Sequence, residues 1–205
     1  MRHLHRRVFT TLIFGLFTTN AQSYDEIQKA FKSSYVSEYK GDVSGAVLEL
    51  QKGYKVDSYE CNLRLGWLLF SAKKYDKSLE YYQNAINLKK YSIEARLGYI
   101  STANSLKEYT KAYVKYEEIL TIDPYNSTAN YWVGVTYYNA KKYDIAAKYF
   151  ELIVNMYPFD FDANHMLGWT YLGLGKVQEA KILFEKALLY KPSDESSKTG
   201  LTKCK

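Results

Sequence analysis

The sequence predicts an all-α chain of about five antiparallel helix-turn-helix repeats, and three observations carry that reading. A phrase that starts at Tyr75 returns from Tyr109, Tyr143 and Val177, each start 34 residues after the last. Inside every copy, apolar residues recur at spacings of three and four, the period of a helix buried along one stripe. Only 3 prolines and 11 glycines punctuate the 205 residues, too few for the many tight turns of a β-sandwich. Hydrophobic residues at 47% and charged ones at 24% fit a folded chain rather than a disordered one.

Residues 1–21 read differently from everything after them. Arg2, Arg6 and Arg7 precede an apolar run over residues 8–17, and the small residues Thr19 and Ala21 follow. That order is expected of a secretory signal peptide, cleaved after Ala21 or Ser23 and leaving a periplasmic or secreted protein. The run is about half of the roughly 20 residues that span a bilayer, so no stable membrane span is expected once it is removed. Cleavage takes three arginines and no acid, which lowers the net charge from +6 to +3. Only Arg64 and Arg96 then remain as arginines, and the lysines are scattered among acids. With no basic stripe, nucleic acid is not an expected partner.

The array is expected over residues 22–192, with repeats of approximately 27–58, 59–90, 91–126, 127–160 and 161–192. In the second helix of each repeat a small residue stands first: Ala46, Ser78, Ala112, Ala146 or Ala180. One turn later comes a large one, Leu50, Tyr82, Tyr116, Phe150 or Phe184, and then Gly53, Ala85, Ile119, Ile153 or Ala187. Pro124, Pro158 and Pro192 close three of these helices, because proline cannot continue one. The preceding helices share a glycine at Gly66, Gly98, Gly134 and Gly168, with Ser34 in the first. A helical glycine costs about 1 kcal/mol relative to alanine, so its recurrence implies close helix contact. Aligned on these glycines, the third repeat carries two extra residues near residues 102–105, expected as a protruding loop or an overlong first helix. Residues 193–205 are expected to form a short capping stub or a frayed tail.

The last repeat has Leu167, Gly168, Tyr171, Ala180, Phe184, Ala187 and Pro192 in sequence, with Asn164 in place of a large residue. In this pattern the chain resembles the tetratricopeptide repeat family over about residues 27–192. The resemblance implies a right-handed α-solenoid whose first helices line a concave face.

Beside the core stripe of those first helices runs a second, aromatic one. It comprises Phe31 and Tyr35 (with Glu38), Leu63, Trp67 and Phe70, Tyr99, Tyr131 and Tyr138 (with Val135), and His165 and Trp169 (with Leu172). Such rings give large, rigid contact area with a polar edge, so the stripe is a candidate groove for a peptide or helix of a partner protein. The alternative is that the rings pack on neighbouring repeats and complete the core. Family members that grip acidic carboxyl termini use lysine, arginine and asparagine on this face; here those places are aromatic, and that activity is not carried over.

Catalysis has little to rest on. With residues 1–21 removed His165 is the only histidine, and neither Cys61 nor Cys204 has a second ligand at metal spacing. No catalytic residue, metal or cofactor is expected. Gly173, Gly175 and Lys176 lack the remaining glycine and the hydroxyl of a phosphate loop, and read as a turn. Cys204, on a tail, is a candidate for dimerisation through an intermolecular disulfide. Asn126, Ser127 and Thr128 form a glycosylation sequon in a turn. The expected function is a non-enzymatic scaffold or adaptor. The alternatives are a structural subunit of a cell-envelope complex that uses an uncapped carboxyl-terminal end, or an accessory protein for a small ligand.

Overall fold

The computed structural model describes residues 24–205, so the signal peptide expected over residues 1–21 lies outside the described residues. Within them the chain is helices and turns, with no strand. Helix α1 covers residues 24–39. There follow α2 (Val43–Lys52), α3 (Tyr59–Ser71), α4 (Tyr75–Leu88), α5 (Ile93–Ser105), α6 (Tyr109–Ile122), α7 (Ser127–Asn139), α8 (Tyr143–Met156), α9 (Phe161–Gly173), α10 (Val177–Tyr190) and α11 (Glu195–Thr202). No helix among the described residues is long and apolar enough to cross a membrane. Two compact units divide at Lys107 and Glu108, the first holding α1–α5 and the second α6–α11.

A cap sets the start of each odd-numbered helix from α3 onward. Ser58, Ser92, Asn126, Asp160 and Asp194, spaced 34 apart, each accept from the backbone N–H three residues on. That bond satisfies one of the donors that a helix start leaves without an intrahelical partner. Three of these helices then carry a buried asparagine: Asn62, Asn130 and Asn164. Its Nδ2 donates back to two carbonyls, those of Val56 and Ser58, Pro124 and Asn126, or Pro158 and Asp160. Each asparagine thus clips its helix to the turn before it. The Asn164 that breaks the family pattern in sequence is one of these clips.

The second-helix stripe is the core of each unit. In the first unit Ala46, Leu50, Ser78, Tyr82 and Ala85 are buried; in the second Ala112, Tyr116, Ile119, Ala146, Phe150, Ile153, Ala180, Phe184 and Ala187 are. The glycines explain how the large rings fit. A Cβ placed on Gly66 would come 2.9 Å from the Tyr82 ring, and on Gly134 or Gly168 it would lie 2.9 Å from Phe150 or Phe184. Each ring therefore lies against bare backbone, which a methyl group would push away. The Ser78 hydroxyl replaces alanine in its stripe by donating to the Gly66 carbonyl at 2.7 Å and hydrogen-bonding the Thr102 hydroxyl at 3.0 Å. Helix α2 ends early, at Gly53, where a Cβ would meet the Ala30 Cβ at 2.6 Å.

The third repeat has no protruding loop. Helix α5 has 13 residues, as do α3, α7 and α9. Three residues join α5 to α6, the same as join α3 to α4. The expected insertion came from aligning on Gly98. That glycine stands six residues after its cap, Ser92, whereas Gly66 stands eight after Ser58; Ile100 occupies the matching place. Gly98 has its own reason to be glycine, because a Cβ there would come 2.2 Å from the Tyr82 ring.

The carboxyl terminus is a seated helix rather than a frayed tail. Helix α11 is capped by Asp194, whose carboxylate accepts from Ser197 N at 2.7 Å. Gly200 lies against Phe184, where a Cβ would come within 2.3 Å of the ring. Gly200 thus sits on Phe184 as Gly98 sits on Tyr82, each six residues after its cap, so α11 takes the place of the first helix of one more repeat. Cys204 is buried in this contact with Ala180 and Phe184, and its thiol donates to the Gly200 carbonyl at 3.3 Å. The dimer expected through Cys204 therefore meets a covered thiol, and burial pushes its pKa up. Helix α11 covers the α10 face at Phe184, which the envelope-subunit alternative took as uncapped, while most of its own residues remain exposed.

Candidate functional site

In the first unit α1, α3 and α5 bring their faces together over the Tyr82 ring of α4 and leave a groove of about 570 Å³. Phe31 and Tyr35 come from α1, Leu63, Arg64, Trp67 and Phe70 from α3, and Leu97, Gly98 and Ser101 from α5. The groove exists because α5 is small where α3 is large. Counted from their caps, Ser101 matches Trp67 and Gly98 matches Arg64, so one wall drops away from a ring-rich one. Burial pushes the Tyr82 phenol up to about 12, with a smaller contribution from Glu94, and keeps it neutral beneath the groove.

Two of these rings remain open to solvent: Tyr35 is 53% exposed and Trp67 43%. The Arg64 guanidinium lies 4.0 Å from the Tyr35 ring centroid and 5.2 Å from that of Trp67, an arrangement in which a cation is attracted by both π faces. Its NH2 group also donates to the Glu38 carboxylate, so this cation is already paired. Phe31 packs on Tyr35 at 6.3 Å between centroids, and Phe70 packs on Tyr75 at 5.8 Å. Glu60 and Glu94 stand at the end of the groove, where they accept from the Ser58 hydroxyl at 3.1 Å and the Tyr59 hydroxyl at 3.2 Å.

The structure thus gathers Phe31, Tyr35, Leu63, Trp67 and Phe70 in one groove, and Tyr99 of the same unit is not among its lining residues. Tyr99 packs beside Ala85, Ile86 and Ala95, a core position that the two-residue misalignment had moved onto the groove face. Leu97 and Ser101 hold the groove places instead.

In the second unit Tyr131 packs edge-on against Phe150 at 5.9 Å and Tyr138 lies 5.4 Å from Tyr143. His165 and Trp169 lie under α11. Trp169 packs on Phe184 at 5.3 Å and its Nε1 donates to Ser196 Oγ at 3.1 Å, while Lys203 covers the indole at 5.2 Å. His165 Nδ1 shares a hydrogen bond of 2.9 Å with Ser197 Oγ and lies 3.6 Å from the Asp194 carboxylate. Burial holds the His165 pKa below its ordinary value against the opposing pull of Asp194 and Asp162. For these four residues the packing alternative describes the geometry. Asn126 of the sequon is the α7 cap, with its Oδ1 accepting from Ala129 N at 3.1 Å.

Glu60, Glu94, Leu97 and Ser101, besides Arg64, are groove residues that the sequence reading missed. Counting from the caps at Ser58 and Ser92 instead of from the glycines places all four.

Comparisons with known proteins agree with this architecture. Models described as tetratricopeptide repeat match residues 59–91 and 161–194, and residues 128–159. Among curated proteins none matches the chain. Among solved structures, a tetratricopeptide repeat protein from Parabacteroides merdae ATCC 43184 is similar at a TM-score of 0.72 and 22% identity, over 89% of this chain and 72% of that one. A structure of MamA protein is similar at 0.67 and 23% identity, over 80% and 91%. MamA 41-end from Desulfovibrio magneticus RS-1 gives 0.67 and 16%, over 83% and 98%. At these identities the likeness concerns the fold. Tetratricopeptide repeats are in general non-enzymatic protein-interaction modules. With its packing glycines, second-helix stripe and matched repeats, this chain is a tetratricopeptide repeat protein.

Proposed function

We propose that the chain is an interaction scaffold or adaptor that holds a peptide or helix of a partner protein in the groove of its first unit. The observation that carries this reading is the pair of solvent-open rings, Tyr35 and Trp67, facing a wall that drops away at Gly98 and Ser101. Rings of that size left in water beside a cavity are the usual material of a binding hot spot, since covering them removes apolar area from water. In the second unit Tyr131, Tyr138, His165 and Trp169 of the expected stripe are engaged by the chain's own packing and by α11, whereas Tyr35 and Trp67 in the first stay open beside a larger cavity than the one that Tyr131 and Trp132 line. The reading includes export to the periplasm or beyond, supported by the basic, apolar and small-residue order of residues 1–21.

The test is affinity capture from the native envelope fraction by wild-type protein and by Ser101→Trp. Ser101 is exposed and lines the groove, so the indole fills the cavity without entering the core. Proteins retained by the wild type and lost with the variant support the reading; identical retained sets refute it.

A further inference from the structure

We propose that the segment this groove takes is basic: an apolar side chain seated against Trp67 and flanked by lysine or arginine directed at Glu60 and Glu94. The proposal rests on the groove reading and names its ligand chemistry.

The lining carries three charges. Arg64 is compensated by Glu38, whereas Glu60 and Glu94 are held only by hydroxyl donors and make no ion pair among the described residues. The groove end is therefore net negative beside a ring-lined trough. Lys89 and Lys90 border the same two carboxylates from an adjoining, more open depression and do not line the groove itself, so the negative balance is that of the groove's own lining.

An acidic stretch in the first turn of a helix is ordinary, because it complements the helix dipole. The equivalent place in α7, however, is Thr128, so a helix start in this chain does not require an acid. What distinguishes Glu60 and Glu94 is that two separate helix starts deliver them to one open groove. A purely apolar occupant would desolvate both without a counter-charge, which is unfavourable. An acidic one would meet like charge, with the one guanidinium of the groove lining already engaged. A cation gains on both counts, since it pairs with the carboxylates and the ring walls attract it as they attract Arg64.

The test uses labelled dodecapeptides built from Lys-Phe-Leu-Lys, Ser-Phe-Leu-Ser or Glu-Phe-Leu-Glu units, titrated by fluorescence anisotropy into wild type, Glu60→Gln/Glu94→Gln and Ser101→Trp. Thermal unfolding confirms that each variant is folded. The expected result is that wild type binds the lysine peptide roughly tenfold more tightly than the serine peptide, the scale of two partly exposed charge pairs. That preference shrinks at high salt and disappears in the double variant, while Ser101→Trp weakens all three peptides. Equal or tighter binding of the serine or glutamate peptide, or a preference that survives in the double variant, overturns the basic-ligand proposal. If Ser101→Trp still abolishes binding in that case, the groove reading stands. Binding that Ser101→Trp leaves unchanged, or no binding of any peptide, overturns both.

Discussion

Replacing Asp194 by alanine should loosen α11 without unfolding the rest of the second unit, and Cys204 should report it. The helix has 8 residues, too few to persist in water on its own side-chain and backbone interactions. It is held by the Asp194 cap, by Gly200 against Phe184, and by Ser196 and Ser197 on Trp169 and His165. Losing an aspartate cap costs about 1 kcal/mol, and a local opening made easier by that amount is populated about fivefold more. Removal of the carboxylate 3.6 Å from His165 acts in the same direction whenever the imidazole is protonated. In the closed form the Cys204 thiol is 6% exposed and its pKa is raised by burial, so labelling by a thiol reagent proceeds through the open form. The expected outcome is a labelling rate for Cys204 about fivefold above wild type. Cys61, 1% exposed in α3, serves as the internal reference and should not change. An unchanged Cys204 rate would show that α11 is held by something other than its cap. Loss of amide protection in α9 and α10 would mean that the second unit unfolds, and a parallel rise at Cys61 that the first does too; in either case the local account would be wrong.

Acid should loosen the same helix. Burial lowers the His165 pKa when α11 is docked, so the docked form binds fewer protons and docking weakens as pH falls through 6.5 towards the docked value. Asp194 acts the same way at lower pH: desolvation raises its pKa, but the hydrogen bonds from Ser197 outweigh this and leave it below 3.8. Amide hydrogen exchange, corrected for its intrinsic pH dependence, should therefore show more protection in α11 at pH 7 than at pH 5. Lys73, Lys107 and Lys141 stand at φ of 58°, 61° and 57°, where the α1–α2 and α9–α10 turns have Gly41 and Gly175. Relief of left-handed strain exceeds the entropy cost of glycine by about 0.5 kcal/mol per site. The triple lysine-to-glycine variant should melt roughly 5 °C higher, and a lower melting temperature would contradict the turn argument. Asn130→Leu keeps the branched shape and heavy-atom count but adds bulk at a buried place and strips the Pro124 carbonyl of its donor, which should cost about 2 kcal/mol or more in urea unfolding.

How far the structure was legible depends on which residues carried the register. The second helices were legible because Ala146, Phe150 and Ile153, and their counterparts, keep one spacing in every copy and are all buried. Their stripe is read by packing alone, and packing tolerates little change in volume. The first helices were misread in one place because glycine serves two different contacts there. Gly66, Gly134 and Gly168 admit the ring of the helix that follows, whereas Gly98 and Gly200 admit the ring of the helix before. Composition does not separate these roles, so aligning on glycine displaced α5 by two residues, put Tyr99 on the groove and hid Ser101. The caps would have kept the register, since Ser58, Ser92, Asn126, Asp160 and Asp194 recur at the full repeat length while differing in identity. They differ because a cap needs only a side-chain oxygen at the right place, which makes them weak as a pattern and strong as a ruler. The same ruler reaches Asp194 and predicts α11, which the short remaining chain had suggested was a stub. The groove follows from it too: it lies where one repeat sets Gly98 and Ser101 at places that α3 fills with Arg64 and Trp67. In this array the groove forms at the copy that departs from its neighbours, and the departure shows only when the copies are counted from their caps.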